Sequence, residues 1–268
     1  MIDVCFGADM IDLFASKLPT WAFPVLFITG LIAGFVDSIA GGGGLITIPV
    51  LFSFGLPPQL ALGTNKLQAS FGSGSATWHY ARAKVVSPRE CWLGVIFTVI
   101  GAAVGTWFVQ TRDPEFLKRL IPILLLAIAA YMIFKPQLGE KDVHPRMSAG
   151  WFYPVAGLAL GFYDGFLGPG TGSFWAMAFM LCLGFNLTRA TGYTKVMNFA
   201  SNLTSLAVFA RAGQMDCAAG LVMGTGQLLG ARFGSRMVVT RGARFIRPIF
   251  LAMVFALIAK LLYGAWVK

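Results

Sequence analysis

Two stretches of this chain each set one lysine among small polar residues in an otherwise apolar sequence. They are Gly63-Thr64-Asn65-Lys66-Leu67-Gln68 and Tyr193-Thr194-Lys195-Val196-Met197-Asn198. A lysine inside a bilayer costs of order several kcal/mol, so it is paired or turned toward a polar cavity. One such lysine alone reads as an anchor snorkelling to the interface. Two at matching positions, each following a glycine-rich break, favour an anion site. Thr64, Asn65, Gln68, Thr194, Asn198 and Asn202 would add neutral donors, and hydrogen bonding between helices is an equally open role for them. Gln227 and Arg232 are outer candidates.

The breaks supply a second reason for an anion. Asp37 is followed closely by Gly41-Gly42-Gly43-Gly44, and Asp164 by Gly168-Pro169-Gly170-Thr171-Gly172. Glycine and proline are the weakest helix formers, so a helix ends at each break and a new one starts near Leu45 and near Gly172. A helix start presents unpaired amides and a positive dipole end, which suits an anion. Gly42, Gly43 and Gly44 would bring backbone to that site, and Thr171 and Ser173 would bring hydroxyls. Asp37 and Asp164 could cap the short helices, pair with the lysines or take up a proton. Capping or pairing is the simpler role.

These residues require elements that hold broken backbone at membrane depth, tolerated only where it lines a protein cavity. The composition agrees. The 268 residues are 57% hydrophobic and 12% charged, with mean hydropathy +0.72, whereas a soluble domain carries about 25% charged residues. The length allows about eight spans at roughly 20 residues each. The predicted fold is therefore an all-α integral membrane protein of about eight transmembrane helices. It is one transporter domain over 1–268, in two homologous halves that each hold a glycine-broken helix or re-entrant segment. Net charge +10 sits in short loops, where Lys and Arg set topology and meet anionic headgroups. Nucleic acid is excluded on that ground. The lipid bilayer and a small anionic substrate are the expected partners, with homo-oligomerisation left open.

In chain order, residues 1–19 read as an interfacial segment and 20–39 as a first apolar run that is retained. Leu45 to Phe54 is too short to span and suits a half helix, closed by Pro57-Pro58. A small, polar helix follows over 66–82, then spans at 91–110 and 117–135, with Gly101 and Gly105 spaced for close packing. Half 1 covers 20–135, a polar linker 136–149, and half 2 150–268. The second half repeats the order: apolar 150–168, short 172–185, polar 190–210, and spans at 216–233 and 245–266. Asp37 and Asp164 lie 127 residues apart, Lys66 and Lys195 129, Gly101 and Gly226 125, and Pro122 and Pro248 126. Their common order argues for an internal duplication.

Counting each broken unit as one crossing puts loops 111–119 and 232–247 on one side. The positive-inside rule then leans toward both termini outside. Re-entrant short arms would change that parity, and with it the choice between tandem and inverted repeats.

Enzyme chemistry finds no purchase. His79 and His144 lack a second histidine at metal-ligand spacing, and Cys5, Cys91, Cys182 and Cys217 are scattered. No nucleophile triad, Walker loop, metal or cofactor site is expected, and the residues call for no catalytic group.

The chain resembles the TauE/SafE sulfite exporter family, and within it the YfcA-type membrane transporters. The resemblance is carried by GFVDSIAGGGGLITIP (34–49), LGTNKLQAS (62–70), GFYDGFLGPGTGSF (161–174), TKVMNFASN (194–202) and GQLLGARFGSR (226–236). It implies an eight-span, two-repeat transporter of the bacterial inner membrane for sulfite, other sulfur oxyanions or organosulfonates. By position, Asp37, Gly41 to Gly44, Asn65, Lys66, Asp164, Thr194, Lys195 and Asn198 are the matching residues. Gly-Pro-Gly-Thr replaces four glycines in the second half, so that break should be stiffer. A passive anion channel, or a membrane enzyme or accessory protein of sulfur metabolism, are the alternatives.

Overall fold

The computed structural model describes residues 18–117, 119, 120, 123 and 142–242. The expected segment at 1–17, most of the span at 117–135, linker residues 136–141 and the span at 245–266 lie outside the described residues. Among those described there are eight complete α-helices, further helical residues at 114–117, one short 3-10 turn (Pro88–Cys91) and no strand. The helices are α1 (Ala22–Ala40), α2 (Gly43–Ser53), α3 (Pro58–Arg82), α4 (Trp92–Gln110), α5 (Ala149–Phe166), α6 (Thr171–Leu183), α7 (Leu187–Arg211) and α8 (Cys217–Arg241). Their lengths run 19, 11, 25, 19 and then 18, 13, 25, 25 residues.

Local chemistry sets these boundaries. Gly41 closes α1 in the left-handed region at φ +77°, a conformation that costs a side chain about 1–2 kcal/mol. Pro58 begins α3 at a first-turn position, where its missing N–H costs nothing. Asn186 and Asp216 cap α7 and α8, accepting from the amides of Arg189 and Ala219. The polar helices therefore start earlier than their small-residue stretches, so Lys66 and Lys195 each lie eight residues inside their helix rather than at its head.

Both short helices fold back along the helix before them. Trp21, just before α1, meets Phe54, just after α2, with ring centroids 5.5 Å apart. Phe152 near the start of α5 meets Phe179 of α6 at 5.3 Å, and the amides of Arg146 and Met147 donate to the Cys182 carbonyl. Each broken unit is thus a hairpin with its tip in the interior.

This overturns the single-crossing parity. Gln59 Nε2 donates to the Arg112 carbonyl and the Asp216 amide to Thr64 Oγ1. The starts of α1, α3 and α8 therefore share one end with the loop after α4. At the opposite end Tyr193 donates to Glu90, and Arg82, Arg232 and Arg236 surround His79. The starts of α4, α5 and α7 share that end. Loop 111–119 and the terminus of α8 at Arg241 consequently lie at opposite ends, because each short arm returns to the end it came from. The two sets of four helices run in opposite senses.

Glycines lock the sets together. A methyl group at Gly30, Gly34, Gly226 or Gly230 would strike backbone across the parallel α1–α8 contact. At α4–α5, Gly101, Gly105, Gly157, Gly161 and Gly165 approach the facing helix as closely. The outer helices turn Ile28, Ile32, Ile96, Ile100, Val104, Trp107, Trp151 and Val155 outward, all exposed. The central α3 and α7 bury Asn65, Lys66, Gln68, Ser73, Lys195, Asn198 and Ser201. Apolar outside and polar inside reverses the soluble pattern and matches lipid as solvent. By length and composition, two described segments, Ala22–Ile39 and Arg89–Gln110, could each cross a membrane.

Candidate functional site

The two hairpin tips meet in the interior. A methyl group on Gly41 would lie 2.6 Å from Gly172 Cα, and one on Gly44 3.3 Å from Pro169 Cα. The N-terminus of α2 and that of α6 are thereby brought side by side, two positive helix ends at one place. By helix rise the tip of α2 is about 16 Å from its outer end, and Lys66 lies about 12 Å into α3. The site is near mid-depth.

The lysines come to it from α3 and α7, and each pairs with the aspartate of the other half. Lys66 Nζ donates to Asp164 Oδ1 at 2.8 Å, to the Asp164 carbonyl and, at 3.4 Å, to Asn202 Oδ1. Lys195 Nζ donates to Asp37 Oδ2 at 2.9 Å. The Lys66–Asp164 side chains are 2% and 5% exposed, those of Lys195 and Asp37 0% and 17%. Burying four charges is tolerable only because they are paired and hydrogen-bonded.

Asp37 also caps α2, its Oδ1 accepting from the Gly43 amide at 3.1 Å. The second tip is held differently. Tyr163 donates its hydroxyl to the Pro169 carbonyl, and Thr171 donates its own to Gly168. Gly168 and Gly170 both have positive φ. Asp164 Oδ2 is left without a partner among the described residues. The Gly-Pro-Gly-Thr break therefore keeps its shape without help from its aspartate.

The remaining candidates divide. Asn198 is 6% exposed, with Nδ2 directed at the α6 start near Gly172 and Oδ1 unpartnered among the described residues. Thr194 is buried beside Lys195 in sequence, and its hydroxyl has no partner among the described residues. Asn65 Oδ1 accepts from Thr47 and from Gln68 Nε2, a network against the first turns of α2. Ser173 is buried in the first turn of α6. Thr64 is not brought to the tips: its hydroxyl donates to Leu60 and accepts from Asp216, on the side of α3 facing the α7–α8 turn. Thr171 is at the tip, but its hydroxyl is spent within the turn. Gln227 packs against Gly72 between α3 and α8, and Arg232 is exposed outside the site. Sequence reading missed Thr47 and Tyr163. Thr47 was legible as the polar side chain one turn into the apolar GGLITIPVLFS. Tyr163 stood next to Asp164.

This apolar exterior, polar centre and pair of meeting hairpin tips define a helical membrane protein with a built-in charged core. The chain belongs to the sulfite exporter TauE/SafE family, whose model matches residues 26–261. It is 47% identical over 239 residues to a probable membrane transporter protein of Haemophilus influenzae, covering 89% of this chain and 94% of that one. It is 46% identical over 241 residues to the probable membrane transporter protein YfcA of Escherichia coli K12, covering 90% of each. A more distant relative, the probable membrane transporter protein YunE of Bacillus subtilis, is 25% identical over 261 residues. No solved structure matches the chain.

Proposed function

We propose that this protein is a secondary transporter that moves small anions across the bacterial inner membrane, exporting sulfite or a related sulfur oxyanion or organosulfonate. The observation that carries the reading is the meeting of two helix N-termini between two buried lysines. Amide dipoles and ammonium groups there favour negative charge. Asn198 and Thr194 add buried polar atoms without partners among the described residues, which a ligand would satisfy. The sulfur chemistry and the outward direction rest on the family alone. Burial of both lysines favours a carrier that alternates access over an open anion channel. The substrate is moved unchanged, in keeping with the family and against the enzyme alternative.

We read the two halves as an inverted duplication, supported by the common order of matched residues, the helix lengths and the reciprocal ion pairs. Among the described residues, eight cations mark the end where α5 starts (Arg82, Lys84, Arg89, Arg146, Arg189, Arg232, Arg236, Arg241), against Arg112, Arg119 and Arg211 at the other. The positive-inside rule assigns the richer end to the cytoplasm and the start of α1 to the periplasm.

Flux of labelled sulfite in proteoliposomes tests the transport reading. Saturable flux should fall at least tenfold in both Lys66→Gln and Lys195→Gln, with monodisperse elution showing that each variant is folded. Unchanged flux in both would remove the lysines from the site. Non-saturating conductance would favour the channel.

A further inference from the structure

We infer that the Asp37 carboxylate is the resident anion of this site, exchanged for the substrate anion as Asp37 takes up one proton. The inference rests on the anion-site reading above and adds its coupling chemistry.

The two ion pairs look reciprocal but are built unequally. Asp164 sits on a lysine that has two further acceptors, the Asp164 backbone carbonyl and Asn202 Oδ1. Removing the Asp164 carboxylate would leave Lys66 partly satisfied. Among the described residues Lys195 has one acceptor, Asp37 Oδ2. Asp37 meanwhile spends its other oxygen on the first amide of α2. One carboxylate thus fills the two donors, an ammonium and a helix N-terminus, that an incoming oxyanion requires. It is also the more accessible acid, at 17% exposure against 5% for Asp164.

The surroundings of Asp37 leave room for exchange of partners but not of charge. Lys195 of α7 is the cation facing it, and Tyr80 of α3 donates to the carbonyl of adjacent Ser38. The start of α2 gives the Gly43 amide. Helices α6 and α8 bring Gly172 and Gly234 against its neighbours Gly41 and Ser38, so neither adds a side chain at those contacts. Adding an anion to the intact neutral pair would bury an uncompensated charge, which is costly at low dielectric. When the carboxylate becomes a carboxylic acid, it releases Lys195 Nζ and the Gly43 N–H, and the anion takes both. A monoanion and a proton then enter together, and no net charge is added. No bond within the substrate changes.

Isothermal titration of the purified full-length protein tests this. Methanesulfonate and ethanesulfonate serve as probes because each stays a monoanion over the pH range used. Titrations run in buffers of contrasting ionisation enthalpy. The expected result is one proton taken up per anion, with affinity rising about tenfold per unit fall in pH where free Asp37 is ionised. Asp37→Asn should bind without proton uptake and without pH dependence, whereas Glu115→Gln, at an exposed acid outside the site, should keep both. Binding by the wild type without proton uptake, or uptake that persists in Asp37→Asn, would overturn the inference while leaving the anion site standing. If Asp37→Asn does not fold, the wild-type proton count decides alone. Failure of methanesulfonate, ethanesulfonate and sulfite all to bind the wild type would overturn the anion-site reading itself.

Discussion

Lys66 is a cation with only 1% of its surface exposed, held by a carboxylate and a carbonyl contributed from a different half of the chain. Removing the lysine from such a pair strands the carboxylate. Lys66→Met should destabilise the protein by about 3–5 kcal/mol, and Lys66→Met with Asp164→Leu should recover most of that loss. Thermal unfolding in detergent measures both, and equal destabilisation in the single and double variants would refute the pairing. The restored double variant should still lack flux if the charges also serve the anion. The lysines, the aspartates and the glycine breaks were all legible in the sequence because their types are conspicuous in an apolar chain. Their partners were not. Lys66 and Asp164 are 98 residues apart and Lys195 and Asp37 158, and no local pattern specifies which acid meets which base. Thr64 illustrates the same limit, since its neighbour Asn65 points toward the tips while it points away.

Among the elements, the paired glycines decide how closely the helices approach. Gly105 on α4 and Gly230 on α8 touch the carbonyls of Phe162 and Leu31. Replacing either with Ala forces the facing helix aside, an overpacking cost of about 1–3 kcal/mol. Gly150→Ala, with nothing within 4 Å of the added methyl, is the neutral control. Melting curves that drop for Gly105→Ala and Gly230→Ala but hold for Gly150→Ala would bear this out, and three equal curves would refute it. The span over 91–110 and the Gly101/Gly105 spacing could be read in advance. The return of α2 and α6 could not. An apolar helix of 11 residues has the same composition whether it continues across the bilayer or doubles back. Only the Trp21–Phe54 and Phe152–Phe179 contacts decide the matter.

For the whole molecule, those two returns sort the charges. With the hairpins folded back, basic residues gather at one end, whereas single crossings spread them over both. In a cysteine-free background, Thr111→Cys should react with a membrane-impermeant maleimide in cells whose outer membrane is permeable to it. Lys84→Cys should react only after the inner membrane is opened. The reverse pattern would invert the orientation, and labelling of both in intact cells would refute the opposite placement of these loops.

The crossed ion pairs also impose an order on synthesis. When α1 to α4 have left the ribosome, Asp37 and Lys66 are in place and neither has its counterion. Those counterions are carried by α5 and α7, still to be made. The first half must therefore wait, with its hairpin tip and its lysine kept hydrated or sheltered by the insertion machinery, until the second half arrives. Completion of the chain is what neutralises the interior, so a ribosome that stalls midway leaves behind a fragment the membrane has reason to reject.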